Sequence, residues 1–269
     1  MGAHVVTVAL TIAGSDSGGG AGIVADLKTF EAHGVWGTCA IVAVTAQNTL
    51  GVSAFETLPP DLVRRQILDV ASDIGVDAAK TGMLATAELV ATVTAAVADA
   101  GIGRLVVDPV FVSKHGDTLL ADDAVGALRA ELLPLATVVT PNLPEASALA
   151  GIDIKDRDDM VAAAKAIASA GTKVVMVKGG HLEGDQSPDL VWSDGGATWL
   201  EGDRIPGRHT HGTGCVLSAA LTAELARGMD PADACVAAKR FVEKAIAAGV
   251  ELGAGVGPVN PGWSSAPAW

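Results

Sequence analysis

Alternation limits this chain more than any other feature. Short β-branched runs recur along its 269 residues, each followed by apolar positions at helical spacing. Residues 5–12 (VVTVALTI) form the first run, and Ile23, Leu27 and Phe30 then share one helical stripe. Residues 40–46 read as a second strand, and Pro59-Pro60-Asp61 opens a helix carrying Val63, Ile67 and Val70. Further strands are expected at 77–80, 105–107, 137–139 and 173–177. Between them, Leu89, Val93 and Val97, then Val125, Leu128 and Leu132, then Met160, Val161, Ala164 and Ile167 mark helices. Residues 189–193 and 197–201 flank Asp194-Gly195-Gly196, a hairpin signal, and two helices close the chain. Strands that are continuously apolar must be covered on both faces. The order therefore predicts an α/β fold of three layers, α/β/α, with a mostly parallel central sheet and helices on both faces. No linker, repeat or low-complexity tract interrupts it, so residues 1–269 read as one domain. The tail, 260–269, carries two Trp and is expected to dock or to contact a second subunit.

The polar residues are placed as regularly as the apolar ones. Clusters at 14–20, Gln47, Met83, 108–109, 142–145 and 178–181 each follow the last apolar residue of a strand. Ligands of open α/β sheets bind outside the carboxyl ends of the strands. Six clusters on that rim predict an active site there. The first loop lacks the Gly-Lys-Ser/Thr of a Walker loop, and Ile23 breaks the dinucleotide fingerprint. Close backbone approach to a flat ligand stays open to it. Asp26, three residues after Ile23, points along the apolar edge of its helix and needs a partner. Spacing alone favours a cap or buried pair there over ligand contact.

Residues 208–215 (RHTHGTGC) run straight into an apolar, alanine-rich segment, so Gly212, Thr213 and Gly214 fall where a helix begins. First-turn N–H groups have no intrahelical partner, and the macrodipole adds partial positive charge. Glycines let an oxygen approach those groups, which makes a site for phosphate or for a transferring phosphoryl group. Cys215 would then sit in a field that favours a thiolate. The same letters also describe a Gly-rich turn entering a core helix with a buried cysteine.

Collected on one rim, Asp108, Glu145, the Asn142 amide and the Lys178 ammonium are a kit for phosphoryl transfer with Mg²⁺ held through water and phosphates. Each has a plainer reading. Asp108 before Pro109 can be a turn starter, Asn142 with Glu145 a helix-entry cap, and Lys178 a solvated strand end. The 111–118 loop adds Lys114 and His115. His181, His209 and His211 read as loop hydrogen-bonders, because none has zinc-site spacing. Composition narrows the partners. A net charge of −13 argues against nucleic acid and anionic membrane, and no run is long enough to span a bilayer. Residues 1–8 lack signal-peptide features, and three cysteines without disulfide spacing fit a reducing compartment, so a cytoplasmic protein is expected. Cys39 and Cys235 read as inert packing residues.

GSDSGGGAGIVADL at 14–27, AVTAQNTLGV at 43–52, TGML at 81–84, DPV at 108–110, TPNLPEA at 140–146, VKGGH at 177–181 and THGTGC at 210–215 resemble the hydroxymethylpyrimidine/phosphomethylpyrimidine kinases. These belong to the ribokinase-like superfamily, and the resemblance runs nearly end to end. It implies two successive ATP-dependent transfers, to 4-amino-5-hydroxymethyl-2-methylpyrimidine and then to its monophosphate, in thiamine biosynthesis, and a homodimer. It assigns the pyrimidine to Gly14, Asp26, Val44, Gln47, Met83 and Val110, the nucleotide phosphates to Asp108 and Lys178, and Mg²⁺ to Asn142 and Glu145. Residues 212–215 become the anion hole, with Cys215 as base where most sugar kinases of the superfamily carry Asp. A depressed thiol pKa is then expected. His211 is expected to help hold the phosphate of the second acceptor. Departures from the family pattern at Ser17, Phe111 and His115 touch the pocket rim and bear on fine substrate preference. Pyridoxal kinases are the alternative within the superfamily, and a non-catalytic vitamin binder is the alternative outside it.

Overall fold

The computed structural model describes residues 6–111, 122–180, 182 and 184–264. Lys114, His115, His181 and residues 265–269 lie outside them. Among the described residues the main sheet has eight strands in the order β10-β9-β8-β7-β6-β5-β1-β2. Its parallel part comprises β1 (Val8–Ala13), β2 (Trp36–Ile41), β5 (Ala78–Thr81), β6 (Leu105–Val107), β7 (Val138–Val139) and β8 (Val174–Val177). The hairpin of β9 (Asp189–Ser193) and β10 (Gly196–Leu200) extends it antiparallel, around the turn that Asp194-Gly195 announces.

Two helical layers cover the sheet, and the alternation of strand side chains shows which helix lies where. Leu10, Ile12, Leu105, Val107, Val175 and Val177 pack with α2 (Pro60–Asp73), α3 (Ala87–Asp99), α5 (Leu143–Ala150) and α6 (Arg157–Ala168). The helix expected around Val125 to Leu132 joins that layer as α4 (Asp122–Ala127), continued by a π turn, Leu128–Leu132, and a 3₁₀ turn, Leu133–Leu135. Val106, Val138, Val174 and Met176 face the other way, onto α7 (Thr213–Ala226) and α8 (Pro231–Ala247). Phe30 of α1 (Gly22–Ala32) packs with Ala219 and Ala223 of α7. Helix α7 is apolar and small all round, and it is buried from Val216 to Ala223. That pattern suits a helix wedged between the sheet, α1 and α8 rather than one lying at the surface.

Two sequence expectations need correction. The run 40–46 is not one strand: β2 ends at Ile41, opposite Ala13, because β1 ends there and offers no further ladder. The chain turns out of the sheet, and β3 (Ala43–Asn48) pairs instead with β4 (Gly51–Thr57) as a separate two-stranded sheet. The first strand begins at Val8, and Val6 ahead of it is 60% exposed. Trp263 in the tail docks: it packs on Phe241 with centroids 5.9 Å apart, and the Lys244 ammonium lies 4.8 Å from its ring. No helix among the described residues is long and apolar enough to cross a membrane.

Candidate active site

The parallel strands deliver their carboxyl ends to one cavity of about 550 Å³. Gly14, Gln47, Met83, Asp108, Val110, Asn142, Glu145, Lys178 and residues 211–215 line it. The strand-end clusters thus converge. Gly212 takes the left-handed conformation, φ +81°, immediately before α7. A side chain there would run into the Gly20 carbonyl, so the nest and the first glycine loop are in backbone contact. The amides of Gly214 and Cys215 lie in the first turn of α7, where no preceding helical carbonyl can accept from them. Gly214 itself lies beside the charged groups of the rim. A Cβ on Gly214 would lie 3.5 Å from Lys178 Nζ and 3.7 Å from Asp108 Oδ2.

Lys178 Nζ donates to Asp108 Oδ1 at 3.0 Å and lies 3.9 Å from Glu145 Oε2. Thr140 and Ser218 hydroxyls donate to the two Asp108 oxygens, each at 3.1 Å. Burial works against the Asp108 charge, but Lys178 and Lys80 outweigh it and hold the carboxyl below its usual range. Burial likewise opposes the Lys178 ammonium, and Asp108 and Glu145 more than reverse it, so its pKa is raised. Lys178 is therefore a paired cation on the cavity wall, 17% exposed, rather than a solvated strand end. Asn142 and Glu145 make the helix-entry cap that their spacing allows: each side chain accepts from the other's backbone N–H, at 2.9 and 2.8 Å.

Glu145 stands apart in its titration. Burial, helped by the nearby Asp108 charge, pushes it up to about 7 against the pull of Lys178. A carboxyl raised in the folded state stabilises the fold fully below its unfolded value near 4.5, and that contribution is lost as pH rises through about 7. Glu145→Gln imitates the protonated form and keeps an acceptor for the Asn142 N–H. Thermal melts of ligand-free protein should therefore coincide for variant and parent near pH 4.5 and diverge by pH 8, with the variant higher. Parallel melting curves across that range would contradict this assignment.

Near the other wall, Met83 and Val110 pack with Ala43, and a Cβ on Gly14 would lie 3.4 Å from Met83 Sδ. Ser17 fixes Gln47 twice, donating its hydroxyl to the Gln47 carbonyl at 2.7 Å and accepting its N–H at 2.8 Å. His211 Nε2 lies 2.8 Å from Asp16 Oδ2 and 3.3 Å from Gln47 Nε2. Asp16 also accepts the N–H groups of Gly18, Gly20 and Ala21. Burial disfavours its charge, yet His211 and these amides hold its pKa below the usual value. Asp16 ties the first glycine loop to the nest, a role the sequence reading did not assign. His209 is a loop hydrogen-bonder, as its sequence context implies, accepting from Gly257 N–H at Nδ1.

Three expectations are overturned here. Asp26 does not reach the cavity. It is fully buried, ion-paired with Lys80 Nζ at 2.9 Å and bonded by the Thr11 hydroxyl at 2.6 Å, which is the buried pair that its spacing favours. Val44 lies on the outer face of the β3–β4 hairpin, 50% exposed, while the alternate residues Thr45 and Gln47 face inward and line the cavity. The Cys215 thiol is not depressed. Burial raises it to about 12, and neither Lys80 nor the Gly22 N–H, 3.4 Å from Sγ, offsets that. Cys235 is fully buried and also pushed up to about 12, as an inert packing thiol should be. Lys80 is the site residue the sequence reading missed. The signal was a lysine in an otherwise apolar strand, with an unpaired aspartate on an apolar helix edge to match it.

The geometry is that of a phosphotransferase, and the comparisons identify which kind. The phosphomethylpyrimidine kinase family model matches residues 16–260. The chain belongs to the phosphomethylpyrimidine kinase family. It is 51% identical over 255 residues to the hydroxymethylpyrimidine/phosphomethylpyrimidine kinase of Streptomyces coelicolor, covering 95% of this chain and 94% of that one. Among solved structures it is similar to Bacillus subtilis pyridoxal kinase in an ADP complex, with a TM-score of 0.90 and 40% identity over 96% and 98% of the two chains. It is likewise similar to phosphomethylpyrimidine kinase from Clostridium difficile 630, with a TM-score of 0.79 and 41% identity over 88% and 98%. The ribokinase-like α/β fold expected from the motifs is the fold found.

Proposed function

We propose that this member of the phosphomethylpyrimidine kinase family transfers phosphoryl from ATP to the hydroxymethyl group of 4-amino-5-hydroxymethyl-2-methylpyrimidine, and then to the resulting monophosphate. The observation that carries the reading is one cavity with two chemically distinct walls. Met83, Val110 and Gly14 form an apolar slot for a flat ring, beside the Gln47 amide, which can pair with an aminopyrimidine edge. Across the cavity, Lys178, Asp108 and the α7 amides gather where phosphates would lie. Phosphoryl transfer needs little covalent help from protein and much positioning and charge stabilisation. Lys178 serves the transferring group as a cation, and the amides of Gly214 and Cys215 receive its developing negative charge. Cys215 is the group placed to take the hydroxyl proton.

The ADP complex of the Bacillus subtilis neighbour supports a nucleotide co-substrate. Magnesium is the metal this chemistry implies. Glu145, Asn142 and Asp108 offer hard oxygens that suit it, but no group of three His, Cys, Asp or Glu among the described residues forms a cage. The residues thus fit an ion held through water and substrate phosphates, and when bound it would neutralise phosphate charge. The reading further takes residues 1–269 as one domain of a cytoplasmic homodimer. Exposed Val44 on the outer face of the β3–β4 hairpin supplies apolar surface for the subunit contact.

Similarity to pyridoxal kinases at a TM-score of 0.90 favours a second acceptor, since pyridoxal also carries a ring hydroxymethyl group. One panel decides between them. Purified protein with ATP and Mg²⁺ should convert the pyrimidine alcohol to monophosphate and then to diphosphate, with a higher kcat/KM than for pyridoxal. A reversed ratio would make pyridoxal the main substrate, and no turnover of any acceptor would remove the kinase reading.

A further inference from the structure

The mechanism above leaves the fully buried Lys80 without a task. Lys80 is fully buried at the end of β5, with Nζ 2.9 Å from both oxygens of Asp26. As a purely structural device such a pair is a poor choice. Desolvating two charges is costly, and apolar replacements of similar volume are often neutral or stabilising. Its orientation is informative. Lys80 lines the cavity together with Cys215 and Asp108, whereas Asp26, which accepts from the Thr11 hydroxyl, does not. The pair is therefore a fixed dipole with its positive end toward the cavity.

The charged groups around the Cys215 thiol come from four elements. They are Lys80 on β5, Asp26 on α1, Asp108 after β6 and Lys178 after β8. Lys178 is already engaged by Asp108 and Glu145 on the cavity wall. Lys80 has a partner that does not line the cavity. On the kinase reading given above, we infer that Lys80 is a positioning residue for the transfer: its ammonium, anchored by Asp26 and Thr11 beside the cavity that Cys215 also lines, supplies the positive charge against which the Cys215 sulfur takes the hydroxyl proton. Among the groups that act on that thiol, Lys80 is the largest influence drawing its pKa down, against burial and the two aspartates. The pair is kept because Asp26 makes it possible to hold a cation dry at this depth, where a lone lysine would lose its proton.

The test removes both charges together, so that no unpaired charge is left in the core. In Asp26→Asn with Lys80→Met, the alkylation rate of Cys215 at pH 8.5, resolved by mass spectrometry from Cys39 and Cys235, should fall about tenfold. The inflection of its pH profile should move upward. With the pyrimidine acceptor, kcat should fall by a similar factor, about tenfold, while KM stays within about twofold. Lys80→Arg, which keeps the cation, should retain most of both. If the first pair does not fold, Asp26→Asn with Lys80→Gln keeps a hydrogen bond between the two side chains and is read the same way. A folded charge-free variant with parental alkylation and kcat would reduce the pair to a structural element. Absence of turnover in the parent protein would sink the kinase reading instead, and the alkylation profile would still report on Lys80.

Discussion

Gly212→Ala should lower kcat by about 10²-fold or more, the scale of losing aimed amide donors from a charge-stabilising site. Two effects combine at this position. A residue with a Cβ resists φ +81°, at a cost of about 1–2 kcal/mol. That cost alone would touch stability and not rate. The second effect is a collision with the Gly20 carbonyl, which can be relieved only if the 208–212 segment and the first glycine loop separate. Both carry the site, since Gly214 and Cys215 lie just beyond one and Asp16 clasps His211 across the two. Gly34→Ala provides the control. Its φ is +66°, similarly unfavourable, and nothing lies within 4 Å of the added atom. The control should lower the melting temperature slightly and leave kcat unchanged. Comparable kcat in the two variants would mean that the nest does not handle the transferring group.

The layered fold could be read from the chain because both faces of β1, β5, β6, β7 and β8 are buried, so few polar residues interrupt their runs. The rim could be read for a related reason: a strand end is where polar residues first become affordable. What stayed hidden lay where one residue type serves two ends. Residues 40–46 are apolar but for Thr45, and nothing in them marks Val42 as the point where the chain leaves the sheet; that depends on β1 stopping at Ala13. Asp26 and Lys80 are far apart in sequence, and each is an anomaly alone, yet together they are one pair. Asp16 sits in a loop whose glycines drew the attention, although the carboxylate is what holds those glycine amides in place. For Cys215 the sequence reading weighed the helix N-terminus and not the depth. Depth wins, because desolvating a thiolate outweighs the field of one helix turn.

That reversal sharpens the expectation for Cys215 itself. Cys215→Ala should lower kcat by about 10²-fold or more, the usual contribution of a positioned general base. The pH dependence carries more information than the drop. With the thiol pushed up to about 12, only a small fraction is ionised at neutral pH, and that fraction grows tenfold for each pH unit below the inflection. If the thiolate takes the hydroxyl proton, the parent's kcat should climb through pH 7 to 9 without the plateau that an ordinary thiol near 8.5 would begin to show. Cys215→Ala should be flat over the same range. Cys215→Ser should match the alanine variant, because a buried hydroxyl ionises less readily than a thiol. A profile that rises equally in the parent and in Cys215→Ala would assign the titration to another group. Parental kcat in the alanine variant would leave Lys178 and the α7 amides as the whole of the machinery, with the hydroxyl proton leaving only after the phosphoryl group has moved.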